Sequence, residues 1–113
     1  MLTFWIGCQI LAAGTTLPLA EEMAFRGFLM RRAESPFFLS VDPRSVRTAG
    51  VFLSAFAFSM LYADHWLASA AAGAIYAVAY RRRGEIGDAV AAHATHNALL
   101  AASGLLAGYW ALR

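Results

Sequence analysis

The feature that most constrains this chain is the distribution of its charges, which leaves long stretches without any. Residues 1–20, 48–63 and 66–80 contain no Asp, Glu, Lys or Arg, and residues 89–112 add only two histidines. Charged residues make up 14% of the chain, compared with about 25% in soluble domains. Apolar runs close to the roughly 17–20 residues needed to cross a bilayer, separated by charge clusters, are typical of a multi-span helical membrane protein.

The pattern predicts one all-α domain over residues 1–113, a transmembrane bundle of about four or five helices. The predicted helices are 2–17, 18–33, 45–62, 67–80 and 86 or 87 to 110. Residues 1–17 are expected to be a retained leading transmembrane helix, because "MLTFWIG" lacks the basic start of a signal peptide. Residues 18–112 form the remaining core. A compact soluble helical bundle is the alternative, and it would have to bury four nearly uncharged helices.

The remaining composition excludes several classes of protein. The net charge of +2 comes from arginines at helix ends, which form no basic, aromatic-interleaved face for nucleic acid. A single cysteine, Cys8, excludes a disulfide framework and a thiolate metal site. The arginines of segments 31–47 and 81–83 lie two helices apart, so both segments are expected on the same side of the membrane, and the positive-inside rule makes that side cytoplasmic.

Ionisable side chains inside apolar helices are costly, and they are therefore candidates for function. In "PLAEEMAFRGFL", Glu22 and Arg26 are four residues apart with the acid first, the favourable order for an ion pair on a helix. Glu21 lies about 100° around the same helix and has no cation at helical spacing. The opposing interpretation is that both acids merely favour a helix N-terminus.

Histidines on two later helices favour the functional interpretation. His65 lies in "ADHW", and His93 shares one helix face with Asn97, while His96 lies on an adjoining face. A glutamate that activates water, with histidines and an amide that hold the water and stabilise an oxyanion, suits peptide hydrolysis. Glutamate and histidine also ligate divalent metals such as zinc. The spacing does not decide between a metal and a metal-free glutamate mechanism, although the absence of HExxH excludes a zincin helix.

Three ordered motifs resemble the CPBP intramembrane proteases, also called the CAAX protease or Abi family. "EEMAFRG" has the EExxxR motif, "LYADH" stands in the place of FxxxH, and "HATHN" fits HxxxN. The resemblance covers about residues 18–100. The segment from residue 64 onward also resembles the branch associated with bacterial exosortase systems. The resemblance therefore implies an enzyme of the bacterial inner membrane that cleaves membrane-associated peptides or proteins, with exosortase-type sorting machinery as a partner.

The resemblance also implies a role for each motif residue. Glu21 would be the general base that activates water, and Glu22 and Arg26 would position the site. His65 would help to hold the water or a metal, while His93 and Asn97 would polarise the scissile carbonyl and stabilise the oxyanion. Glu21, His65 and His93 are the candidate ligands if a metal such as zinc is bound.

Two departures from the family pattern limit these assignments. Leu61 replaces the phenylalanine four residues before His65, although Phe58 lies one turn earlier and could fill the space. Family members usually carry more helices ahead of the first motif. The alternative function is a non-catalytic membrane protein, an immunity or partner factor whose polar cluster is structural or proton-linked.

The role assigned to His65 requires its side chain to lie near that of His93. On straight helices His65 and His93 would differ in height by about 10 Å, at about 1.5 Å per residue. We therefore expect "ADHWLAS" to bend inward or the helices to tilt.

Overall fold

A computed structural model describes residues 1–108, which contain helices and connections but no β-strand. The predicted all-α class is confirmed. Residues 1–108 contain five α-helices and one π-helix, with shorter 3₁₀ segments between them. The α-helices are α1 (Leu2–Gly14), α2 (Thr16–Glu22), α3 (Thr48–Ser59), α4 (Trp66–Arg83) and α5 (Ile86–Ala107). The π-helix is Met23–Met30, and the 3₁₀ segments are Phe38–Ser40, Pro43–Ser45 and Met60–His65.

The first two predicted helices form a nearly continuous helical stretch, interrupted at Thr15 (φ −131°, ψ −75°). The break lies a few residues earlier than predicted, and Pro18 falls in the first turn of α2. A proline is tolerated there because the first backbone N–H groups of a helix have no acceptor within it. After Glu22 the helix widens into the π-helix, a form that is frequent at functional sites.

α3 and α4 form an antiparallel helical hairpin. The Gly73 position on α4 faces Ala55 and Phe58 on α3. At the other end, Arg81 Nη1 donates to the Val46 carbonyl just before α3. The turn of the hairpin is Met60–His65, where Tyr62 has non-helical angles (φ −127°, ψ 56°). The predicted break at "ADHW" therefore begins slightly earlier, at Tyr62.

The two arginine-bearing segments lie at the end of the bundle opposite the hairpin turn. Besides the Arg81–Val46 contact, Gly84 approaches the Arg44 side chain. Gly84 also ends α4 in the left-handed conformation (φ 77°), which glycine adopts without steric cost. α5 ends before Gly108, and the predicted end at Trp110 lies outside the described residues.

The bundle has apolar residues on its surface and charged residues in its interior. α1 has no buried residue, and large exposed hydrophobic side chains occur on every helix. Among the described residues, five polar or charged ones are buried: Glu22, Arg26, Ser54, Ser59 and His93. Apolar side chains facing outward are favourable in a lipid environment, whereas on a soluble monomer such patches are small. This pattern favours the membrane bundle over the compact soluble alternative.

Two helical stretches are long and apolar enough to cross a membrane, Leu2–Met30 and Thr48–Arg83. The second stretch of 36 residues would extend about 54 Å if straight, more than the 46 Å longest extent of the protein. It fits because it folds back at the hairpin turn. The predicted count of four or five spans is not confirmed, since the apolar runs join into fewer candidate spans than the separate helices suggested.

Candidate active site

The Glu22 carboxylate is the centre of a buried polar cluster between three helices. It is fully buried at the end of α2, and its Oε1 accepts a hydrogen bond from Arg26 Nη1 at 3.1 Å. The same oxygen is 2.8 Å from Nδ1 of His93 on α5. Because an ionised carboxylate can only accept, the proton between them belongs to Nδ1, and Nδ1 donates. Glu22 therefore fixes the orientation of the His93 ring.

Arg26 links this cluster to the helical hairpin. Its Nη2 donates to the Gly73 carbonyl at 2.7 Å, and its guanidinium lies 4.7 Å from the centre of the Phe58 ring. A Cβ atom on Gly73 would approach Arg26 Nη2 to 2.8 Å and Ala55 Cα to 3.2 Å, closer than normal contact. The glycine thus allows the guanidinium, α3 and α4 to meet. Ser69, Gly73 and Ala77 are spaced by four residues on α4, a pattern that predicts close helix packing. The structure shows that Gly73 also supplies the carbonyl acceptor for Arg26.

Glu21 points toward the same cluster but binds differently. Its Oε1 accepts a hydrogen bond from the Tyr62 hydroxyl at 2.9 Å. Its Oε2 is buried, lies 3.5 Å from His93 Nε2 and has no hydrogen-bond partner among the described residues. The two glutamates therefore face the two nitrogens of the His93 ring, and among the described residues only Glu22 is paired with an arginine.

Aromatic rings enclose the His93 side chain, of which only 3% is exposed. The Tyr76 ring stacks on the imidazole at a centroid distance of 4.6 Å, and Phe58 meets it edge-on at 5.5 Å. Tyr76 is held on its other side by a hydrogen bond between its hydroxyl and His96 Nδ1. These rings restrict the imidazole to the plane in which it faces both carboxylates.

His65 does not reach this cluster. It is exposed in the hairpin turn, and no described hydrogen bond or ion pair joins it to Glu21 or His93. Residues 63–68 are all exposed, so the inward bend expected at "ADHWLAS" does not bring His65 to the site. The Tyr62 side chain contacts Glu21 instead.

Asn97 and His96 have other contacts in the structure. The Asn97 amide nitrogen donates to the Ala13 carbonyl at 2.8 Å, which ties α5 to α1. His96 bonds to Tyr76. Neither side chain is joined to Glu21 by a described contact, so the oxyanion role of Asn97 stays a prediction.

The predicted metal ligands are not brought together. Over residues 1–108, no group of three or more His, Cys, Asp and Glu side chains is arranged to hold a metal ion. Glu21 and His93 approach each other, but His65 is outside the cluster. The three candidate ligands, Glu21, His65 and His93, therefore do not fit a zinc site in this arrangement.

Sequence reasoning missed two residues of the site, Tyr62 and Tyr76. The sequence does contain an indication for Tyr62, because Phe58 and Tyr62 have the same four-residue spacing as the Phe and His of the FxxxH motif. It contains none for Tyr76, since an aromatic residue on an apolar helix is far more often a packing residue.

The geometry defines a class of protein: a helical membrane protein with two glutamates, an arginine and a histidine clustered at its centre. A family model described as type II CAAX prenyl endopeptidase Rce1-like matches residues 3–99. The chain belongs to this family of CAAX-type intramembrane endopeptidases, and the predicted family membership is confirmed. Searches of curated proteins and of solved structures found no match.

Proposed function

We propose that this chain is an intramembrane endopeptidase that hydrolyses a peptide bond of a membrane-associated protein or peptide with a water molecule activated by Glu21. One observation carries the proposal. The buried Glu21 Oε2 has no hydrogen-bond partner among the described residues, and it lies 3.5 Å from His93 Nε2. At this separation the carboxylate oxygen can accept a hydrogen bond from a water molecule, and the ring nitrogen can donate one to the oxygen of the carbonyl that the water attacks.

The proposed mechanism requires a proton on both ring nitrogens of His93, because Nδ1 faces the Glu22 carboxylate and Nε2 has to donate to the substrate. Glu21 and Glu22 contribute two negative charges and Arg26 one positive charge, which would leave one uncompensated charge in a low-dielectric interior. Such a charge is costly. A proton on His93 makes the cluster neutral, and Nε2–H then becomes a donor while Nδ1–H stays on Glu22.

The reaction follows from these positions. Glu21 Oε2 accepts a proton from water as the water oxygen attacks the scissile carbonyl carbon. The carbonyl oxygen becomes an oxyanion, to which His93 Nε2–H donates a hydrogen bond. When the tetrahedral intermediate collapses, the C–N bond breaks and Glu21 returns the proton to the leaving nitrogen. Glu22 and Arg26 hold the imidazole in place throughout.

The setting of the enzyme is part of the proposal. The arginine-bearing segments share one end of the bundle, which supports a cytoplasmic location for that end under the positive-inside rule. The bacterial inner membrane is the proposed location. Glu21 contacts the hairpin turn at the opposite end of α4. The substrate proposed is a peptide segment that enters the bilayer, with exosortase-type sorting machinery as a partner.

The test is cleavage of two internally quenched peptides by the purified protein in liposomes, one a farnesylated CAAX peptide and the other the same peptide without farnesyl. We expect the wild type to cleave at least one probe. Glu21→Gln should lower kcat by about 10²–10⁴-fold, the usual contribution of a general base. Glu85→Gln is the matched control, because Glu85 is exposed and pairs only with Arg83 among the described contacts.

The non-catalytic alternative predicts the opposite outcome. If a correctly folded wild type cleaves neither probe, or if Glu21→Gln cleaves as fast as Glu85→Gln, the proposed enzyme function is wrong.

A further inference from the structure

We infer that Tyr62, not His65, takes the place of the FxxxH histidine in this chain, and that its hydroxyl positions the Glu21 carboxylate. The catalytic part of this inference rests on the proposed function. Tyr62 is a positioning residue, since its described hydrogen bond is to the base.

Two pairs of residues have the four-residue spacing of the FxxxH motif, and their burial differs. Phe58 and Tyr62 are four residues apart, as are Leu61 and His65. Phe58 is 3% exposed, whereas Leu61 is 55% exposed. The buried Phe58 ring packs edge-to-face with the His93 ring, and its centroid lies 5.4 Å from the centroid of the Tyr62 ring. The Phe58–Tyr62 pair therefore belongs to the site, and the Leu61–His65 pair belongs to the exposed turn.

The backbone conformation of the hairpin turn is consistent with the contact between Tyr62 and Glu21. α3 ends at Ser59, and Tyr62 adopts angles outside the helical region. This local change directs the phenol toward α2, where it bonds Glu21 Oε1 at 2.9 Å. A continued α-helix would rotate each following side chain by about 100° around the axis. Tyr62 and His65 (φ −132°, ψ 40°) both have non-helical angles in this turn, and Tyr62 is the one with a described contact to the base.

The two oxygens of the Glu21 carboxylate have different partners, which also supports the inference. A phenol donates one hydrogen bond, and an ionised carboxylate accepts it. With Oε1 held by Tyr62, the carboxylate plane is fixed and Oε2 is directed to His93 Nε2. A positioned base needs such a constraint, because small misplacements of a catalytic group reduce the rate strongly. An imidazole N–H at residue 62 could donate the same bond.

The experiment compares four variants with the wild type in the quenched-peptide assay: Tyr62→Phe, Tyr62→His, His65→Ala and Glu21→Gln. Tyr62→Phe removes only the hydroxyl and keeps the ring against Phe58. We expect kcat to fall about 10–100-fold, as for the loss of a hydrogen bond to a charged group, with KM unchanged. Tyr62→His should recover a substantial part of kcat, and His65→Ala should retain wild-type activity.

The separation of kcat from KM and the rescue by histidine distinguish positioning from a merely structural role, which would lower the yield of folded protein instead. Wild-type kcat in folded Tyr62→Phe overturns the inference, and so does a loss of activity in His65→Ala as large as in Glu21→Gln. In both results an inactive Glu21→Gln still supports the proposed function. An active Glu21→Gln contradicts the proposed function itself, whatever Tyr62→Phe shows.

Discussion

Two acid–arginine pairs of this protein have nearly the same nitrogen–oxygen distance and very different surroundings. Glu22 and Arg26 lie 3.1 Å apart with both side chains fully buried. Asp42 and Arg44 lie 2.9 Å apart in the connection between the π-helix and α3, with side chains 48% and 64% exposed. Water solvates the second pair whether or not it forms, but only protein groups compensate the charges of the first. Burial, rather than distance, therefore decides which pair the structure depends on.

The partners of each pair reflect this difference. The buried pair is extended by the Gly73 carbonyl and His93, so its charges meet donors and acceptors on α4 and α5. The exposed pair is local: Asp42 also accepts the Arg44 backbone N–H and caps the Pro43–Ser45 segment. A change at the buried pair should thus disturb three helices, and a change at the exposed pair only one turn.

The largest expected effect is that of Arg26→Ala. It leaves the Glu22 charge buried without its cation, a change that typically costs about 3–5 kcal/mol. Unfolding of the purified protein in mixed micelles with increasing SDS measures the free energy of unfolding. Arg44→Ala is the control and should leave the transition unchanged. Equal transitions for the two variants would show that burial does not separate the pairs.

A smaller effect is expected for Gly73→Ala. The added Cβ would crowd Arg26 Nη2 at 2.8 Å and Phe58 Cδ1 at 3.1 Å, which forces the hairpin or the guanidinium to shift. Overpacking of this kind costs about 1–3 kcal/mol, and the same unfolding assay detects it. Gly87→Ala is the matched control on α5, because its Cβ meets no atom within 4 Å. A wild-type transition for Gly73→Ala would mean that Arg26 does not need the close approach of α4.

The smallest effect is expected for Asp42→Asn. Hydrogen bonds from the Arg44 side chain and backbone lower the pKa of Asp42. A lowered pKa means that any stabilisation is present above the unfolded value, about 3.9, and is lost only as the pH falls through the folded value. The exposed pair should therefore add no pH dependence between pH 5 and 8. We expect the difference in thermal midpoint between the wild type and the variant to be small and the same at pH 5 and pH 8. A difference that changes between these two pH values would contradict the account of this pair.

The sequence predicts the helical class and the Glu22–Arg26 pair because both depend on local spacing. Apolar runs mark helices, and an i,i+4 acid–arginine pair on one helix needs no knowledge of the rest of the fold. The approach of Glu21 to His93 was inferred from residue types on separate helices, and the structure shows the distance.

The remaining features depend on how the helices turn. The 3₁₀ segment Met60–His65 reverses the chain, and the dihedral angles of Tyr62 determine which side chain reaches Glu21. Helical periodicity contains no information about such a turn, so His65 was the natural candidate. The predicted number of membrane spans is not confirmed for a similar reason, since it depends on where one helix continues into the next and where the chain turns.

The central claim is that Glu21 Oε2 and His93 Nε2 act on the substrate as one unit. The direct test is a double-mutant cycle of Glu21→Gln and His93→Asn, with kcat/KM measured for both single variants and the double variant. Asparagine has an amide nitrogen near the position of Nδ1, so it can keep the bond to Glu22 while Nε2 is removed. Residues that act as a unit are strongly non-additive. We predict that the double variant is no slower than the slower single variant. If the fold-losses in kcat/KM of the two single variants multiply in the double variant, the two residues act independently, contrary to this account.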